Sequence, residues 1–365
     1  MSAGVGREVR TLAKAHLHLH FTGSMRPSTV ADLARAHGVH LPEALTGDGP
    51  PRLSATDEKG WFRFQRLYDV ARSCVRTRAD VRRLVLEAAQ DDVADGSRWL
   101  EIQVDPTSYA VHLGGLTPAL EVALDAVREA TDRTGLPIAV VVAASRIRHP
   151  LDARTLARLA VRYAGEGPGQ VVGFGLSNDE RRGVTEEFAS AFAIARRGGL
   201  ACVPHSGELL GPDHVRATLD HLTPDRIGHG VRSAEDPAVL AEVVARGITL
   251  EVCPGSNVAL GVYREPAAVP LRALLDAGAK VALGADDPLL FGSRLADQYV
   301  TAREVHGLDD AALADLARAS LRGARMPADL LTASLADVDA WLAAPPPTAA
   351  PPSAPGQAAV DSASR

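Results

Sequence analysis

Cysteine is scarce in this chain. Three occur in 365 residues, Cys74, Cys202 and Cys253, far apart and with no CxxC pair. That spacing excludes a disulfide framework and a cysteine-built zinc site, and the expected compartment is the reducing cytoplasm. Long apolar runs are missing too. None approaches the roughly 18 residues of a membrane span, and no charged-then-apolar leader precedes the first strand, so no membrane partner is expected. A basic excess is also absent. Lys and Arg number 39 against 45 Asp and Glu, for a net charge of -6 and a pI near 6.1. Nucleic acid calls for a basic face or stripe, so it is not an expected partner. What remains is a chain with 46% hydrophobic residues, long enough for one large α/β barrel or two ordinary domains.

Residues 1–9 are small and polar and read as a flexible N-terminus; 345–365 are rich in Pro, Ala and Ser without periodicity and read as a disordered tail. Between them, over 10–344, short apolar segments alternate with longer amphipathic ones. Eight strands are predicted: AKAHLHLHF, RWLEIQV, PIAVVVAA, QVVGFGLS, LACVPHS, RIGHGV, ITLEVCP and KVALGAD. Helical patterns such as PALEVALDAVREATDR, EEFASAFAIARRG and DPAVLAEVVARG follow them, with Gly closing several. Eight βα units imply an α/β fold of (β/α)8 TIM-barrel type. A helical insertion at about 28–95 separates strands one and two, and extra helices at about 308–342 follow the last strand.

Such a barrel carries its chemistry at the C-terminal strand ends. His18 and His20 end strand one, His205 strand five, His229 strand six, and Asp286 and Asp287 strand eight. Strand one carries three histidines two apart, His16, His18 and His20, which alternation puts on one face. His16 lies one step deeper and reads as a hydrogen-bonded core histidine. Singly, each motif has an ordinary reading: HSGE as a loop, GHG as a turn, ADDP as a helix N-cap followed by Pro. With the His18/His20 pair, four motifs at four strand ends make coincidence the weaker account. His18, His20, His205 and Asp286 supply three nitrogens and one oxygen, a set that suits a catalytic zinc with a position left for water. Two-metal barrels commonly bridge their ions with a modified Lys on strand four. QVVGFGLS has none, so one Zn2+ per chain is expected.

The segments HLHFTGS, GFGLSNDE, HSGE, RIGHGV, LEVCPGSNV and GADDPLLFGS, in that order, resemble the adenosine deaminase family of the amidohydrolase superfamily over roughly 10–342. The resemblance implies a zinc enzyme that removes the purine 6-amine hydrolytically, most simply adenosine to inosine and ammonia. His18, His20, His205 and Asp286 match the family's zinc ligands, and His20 also borders the substrate. Glu208 matches the acid that protonates the ring nitrogen beside the attacked carbon, and His229 the residue that positions or deprotonates the attacking water. Asp287 matches the group facing the imidazole side of the purine. Asn178 falls where the family has a Gly whose backbone N–H meets the other pyrimidine nitrogen. The chemistry is coherent: zinc brings the ionisation of water near neutrality, and a Glu can act as acid there only if burial raises its pKa.

The departures concern the substrate's far end. Thr22 stands where the family has an acid meeting the ribose 5′-hydroxyl, His16 where Glu is usual, and Gln103 and Asp105 where Arg and Ser are frequent. Adenosine is the leading expectation, with adenine or a 5′-modified adenosine such as aminodeoxyfutalosine as alternatives. A barrel that binds a nucleoside or partner without catalysis, and an amidohydrolase for another amine or amide, are the readings from other classes. The oligomeric state is not legible.

Overall fold

The computed structural model describes residues 6–47, 49–51 and 53–345. Its framework is eight parallel strands: β1 (Lys14–His20), β2 (Ser97–Val104), β3 (Ile138–Ser145), β4 (Val171–Ser177), β5 (Ala201–Ser206), β6 (Arg226–His229), β7 (Thr249–Val252) and β8 (Lys280–Leu283). They pair in sequence order, β1 to β8. Strand β3 is apolar on both faces because both are covered, and every residue of it is buried. Helices between the strands wrap the outside, and the expected (β/α)8 barrel is what forms.

Closure depends on residues already singled out. Strand β8 ends at Leu283, earlier than expected, and the chain beyond it reaches back to β1. Asp286 N–H donates to the His18 carbonyl (3.0 Å), and His20 N–H donates to the Asp286 carbonyl (2.9 Å). The seam of the barrel is thus stitched by three of the proposed metal ligands.

One expectation fails on β1. The three histidines do not share a face. The pairing of β1 with β2 slips between His16 and Leu19: His16 lies opposite Leu100 and His20 opposite Gln103. An extra residue in a strand breaks the two-residue alternation. Leu100 belongs to the apolar layer between sheet and outer helices, and His16 points the same way. Its Nδ1–H donates to Asp92 (2.9 Å), while its Nε2 accepts from Ala285 N–H (3.0 Å). It is a hydrogen-bonded core histidine, but on the outer face.

The insertion after β1 holds helices α1 (Pro27–His37), α2 (Glu58–Ser73) and α3 (Arg78–Ala94). Pro27 opens α1 where a missing N–H costs nothing, and Gly38 closes it in the left-handed conformation (φ 63°). A capping box between Thr77 and Asp80 starts α3. This α3 packs outside the barrel, its Leu84 and Ala88 sharing the apolar layer with Ile102 of β2. By contrast α2 lies across the barrel mouth. Of the late helices Asp310–Gly323 and Ala328–Ala343, the first packs on β8 and β1, and Arg7 pairs with its Asp310 (2.7 Å). Of the N-terminus expected over 1–9 and the tail expected over 345–365, residues 1–5 and 346–365 lie outside the described residues. Among the described residues no helix is long and apolar enough to cross a membrane.

Candidate active site

The strand ends bring the predicted residues together. His20 Nε2 lies 3.1 Å from His205 Nε2 and 3.2 Å from Asp286 Oδ1, and His18 Nε2 lies 3.7 Å from the same oxygen. The ligating atoms of His18, His20 and His205 fall within 4.8 Å of one another. His229 Nε2 stands 3.5 Å from Glu208 Oε1 and 3.9 Å from Asp286 Oδ2. Three of these positions need unusual backbone. His229 (φ 63°), Asp286 (φ 62°) and Asn178 (φ 79°) are left-handed although none is Gly. Such residues are uncommon and cluster at functional sites. At Asp286 the turn separates the two adjacent acids: Asp286 joins the imidazoles while the Asp287 side chain turns toward Gly23. A Cβ on Gly23 would sit 1.7 Å from Asp287 Oδ1, so the Gly of HFTGS is required by the second Asp.

Electrostatics argue for a cation. Burial opposes charge on His18, yet the facing carboxylate of Asp286 and the hydrogen bond and charge of Glu251 draw its pKa up to about 10. Burial likewise pushes Asp286 upward but is outweighed by the facing imidazoles of His18 and His20, which hold it well below the usual carboxylate range. Burial, then the neighbouring imidazoles, keeps His205 neutral; burial and His18 push His229 down to about 3. Buried His18 Nε2 has no hydrogen-bond partner. Imidazole nitrogens and a carboxylate oxygen converging on one point, where a positive charge is favoured and that nitrogen is unsatisfied, fit a divalent metal of zinc type.

The remaining acids behave differently. Burial, reinforced by the charges of Asp286 and Glu180, lifts Glu208 well above the carboxylate range. Burial and Asp286 do the same to Asp287, whose Oδ1 has no partner. Asp286 is thus favoured as a carboxylate beside Glu208 and Asp287, which are favoured in the protonated form, three acids whose surroundings push them apart.

Several functional residues were not legible as such. Glu251, on β7, accepts a hydrogen bond from His18 Nδ1–H (2.9 Å) and from Arg226 Nε–H (2.6 Å), and Arg226 also grips Glu101. A glutamate inside the apolar run ITLEVC was the available signal, since an unpaired charge there would be costly. Glu180 accepts the backbone N–H groups of Glu208 (3.2 Å), Leu209 (2.6 Å) and Leu210 (2.8 Å), and so fixes the loop that carries the acid. A cavity of about 90 Å³ opens beside these groups, lined also by Phe21, Trp61, Phe64, Tyr68 and Tyr109. Thr22 is there, but its hydroxyl is engaged with Tyr109 Oη (2.5 Å). The aromatic spacing on α2 (61, 64, 68) was visible in sequence, its target was not.

The adenosine deaminase family model matches residues 13–341. A Streptomyces virginiae protein provisionally assigned as an adenosine/adenine deaminase is 64% identical over 92% of this chain and 98% of its own length. An adenine deaminase of Chelativorans sp. is 36% identical over 83% of this chain and 90% of its own. Among solved structures, the adenine deaminase from Arthrobacter aurescens superposes with a TM-score of 0.80 at 25% identity, covering 92% of this chain and 99% of that one. The chain belongs to the adenosine deaminase family.

Proposed function

We propose, from that membership and the site's geometry, that the protein hydrolyses the exocyclic 6-amine of a small-molecule purine, adenine or adenosine, to the 6-oxo purine and ammonia. It is an aminohydrolase: one water is consumed, the C6–N bond breaks, and a C6–O bond forms. One Zn2+ per chain is held by His18, His20, His205 and Asp286. The convergence of these four side chains is the observation that carries the reading. Bound zinc supplies a hydroxide-like nucleophile near neutral pH.

The chain's own groups do the rest. Adding oxygen at C6 breaks the ring's aromaticity and builds negative charge on N1. Glu208, kept protonated by burial, donates its proton to N1 and removes that charge. His229 stays neutral, 3.5 Å from Glu208 and 3.9 Å from Asp286, and can accept a proton from the attacking oxygen. That proton is then available to the departing amine, and as the 6-oxo group forms the proton remaining on the new hydroxyl returns to the Glu208 carboxylate. Asp287, also kept protonated, donates through its free carboxyl to N7. The backbone N–H of Asn178 addresses N3; the left-handed backbone there is what suits the position to Gly, and Asn is among the few other residues that adopt it.

Steady-state ammonia release from adenine, adenosine and 5′-substituted adenosines tests the reading, together with elemental analysis of protein purified without added metal. About one zinc and purine-dependent ammonia are expected. No ammonia from any purine, or two tightly held transition ions per chain, would refute it.

A further inference from the structure

Gln103 is left unused by this chemistry. It ends the inward face of β2, is 2% exposed and lines the cavity, yet neither Oε1 nor Nε2 of its carboxamide has a partner. Buried side-chain amides in a packed interior are normally hydrogen-bonded, and an unpaired one asks for an explanation. The surroundings leave it free by being small. Ala143 of β3 lines the same cavity, and a Cβ added to Gly175 of β4 would lie 3.6 Å from Gln103 Oε1. Ser145, farther along β3, contributes another buried hydroxyl without a partner.

The barrel order says which part of a ligand this wall meets. The metal cluster comes from β1, β5 and the turn after β8, with His229 on β6. Strands β2 to β4 form the facing wall. A planar purine with C6 at the metal turns its opposite edge, N3 and position 9, toward that wall. In free adenine this edge carries an acceptor, N3, beside a donor, N9–H. A carboxamide presents a donor and an acceptor side by side in one plane. In a nucleoside N9 bears the sugar and has no hydrogen, so Oε1 would stay buried and unpaired.

We propose that Gln103 is a specificity-determining residue that reads the N3/N9–H edge, its Oε1 accepting N9–H, and that the free base adenine is preferred over adenosine. Asn178 N–H also addresses N3, so the discrimination rests on Oε1 and N9–H. The inference rests on the deaminase reading above, and it reverses the order of substrates expected from sequence.

The probes are adenine, 9-methyladenine and adenosine, the second removing N9–H without a sugar's bulk. Wild type should favour adenine over 9-methyladenine by at least about tenfold in kcat/KM, since sites built to bond a substrate N–H reject analogues lacking it. In Gln103→Leu the gap should close to within about threefold, with no loss of thermal stability, because the variant removes an unsatisfied buried amide. Calorimetric binding of the three purines to Glu208→Gln, slow enough in turnover for titration, gives the same order independently of the chemical step. Equal handling of adenine and 9-methyladenine by wild type overturns the proposal alone, as does a gap that survives in Gln103→Leu. Absence of ammonia from all three purines overturns the deaminase reading and this inference with it.

Discussion

Glu251→Gln changes one oxygen for one NH2 beneath the metal site. The wild-type carboxylate offers two acceptors: one takes His18 Nδ1–H at 2.9 Å, the other Arg226 Nε–H at 2.6 Å. A glutamine offers one acceptor and one donor. If its oxygen stays on Arg226, its NH2 faces His18, and Nδ1 must become the acceptor. The ring hydrogen then moves to Nε2, the nitrogen that faces Asp286 and the other imidazoles, and ligation there is lost. If its oxygen faces His18 instead, Arg226 Nε–H is buried against a donor. Either way one contact fails. Removing the partner that orients a ligating histidine typically costs about 10- to 100-fold in metal affinity, or about 1.4 to 2.7 kcal/mol. Breaking the Arg226 pair also costs stability, with about 3 kcal/mol as the lower end for a buried ion pair. Zinc affinity measured by competition with a chromophoric chelator, alongside thermal unfolding of the metal-free protein, separates the two effects. Zinc affinity within about threefold of wild type, below the range for such partners, would refute the claim that Glu251 sets the His18 tautomer.

Glu208→Gln should retain zinc and lose at least about 10²-fold in turnover, the usual scale of general acid catalysis; near-normal turnover would mean that N1 is protonated from elsewhere. Because burial raises the Glu208 pKa, its active, protonated form persists above the ordinary carboxylate range and is lost as pH rises through the folded value. The alkaline limb of kcat/KM should therefore include a group that disappears in Glu208→Gln. His16→Ala leaves Asp92 buried without its imidazole, so its melting temperature should fall while its zinc content, read by elemental analysis, stays near wild type. Thr22 is neutral and tied to Tyr109, so adenosine and 5′-deoxyadenosine should differ by no more than about tenfold in kcat/KM, or roughly 1.4 kcal/mol; a larger preference that persists in Thr22→Asp would show that this residue does not set the 5′ end.

The barrel and its rim were readable because both follow from local pattern. Apolar runs such as PIAVVVAA and Gly-closed amphipathic segments alternate along the chain, and parallel βα units leave one architecture. That architecture already says where His18, His20, His205 and Asp286 meet. What escaped depends on pairing register or on distant partners. The slip between His16 and Leu19 arises between β1 and β2, and no periodicity within KAHLHLH announces it. Glu251 and Glu180 act through residues elsewhere in the chain, His18 and Arg226 for one, the backbone from Glu208 to Leu210 for the other.

The same contrast explains why the site sits where local rules break. Left-handed backbone at a non-Gly residue costs roughly 1–2 kcal/mol, and the structure spends it at Asn178, His229 and Asp286, at the ends of β4, β6 and just past β8. A strand continued regularly would aim Asp286 and Asp287 to opposite faces. The turn instead lets Asp286 stay ionised among imidazoles while Asp287 keeps its proton in the pocket. In the proposed reaction these two neighbouring carboxyl groups do opposite jobs, one holding positive charge and one offering a hydrogen bond. The strain at Asp286 is thus tied to the division of labour between adjacent acids, and the Gly at 23 makes room for it.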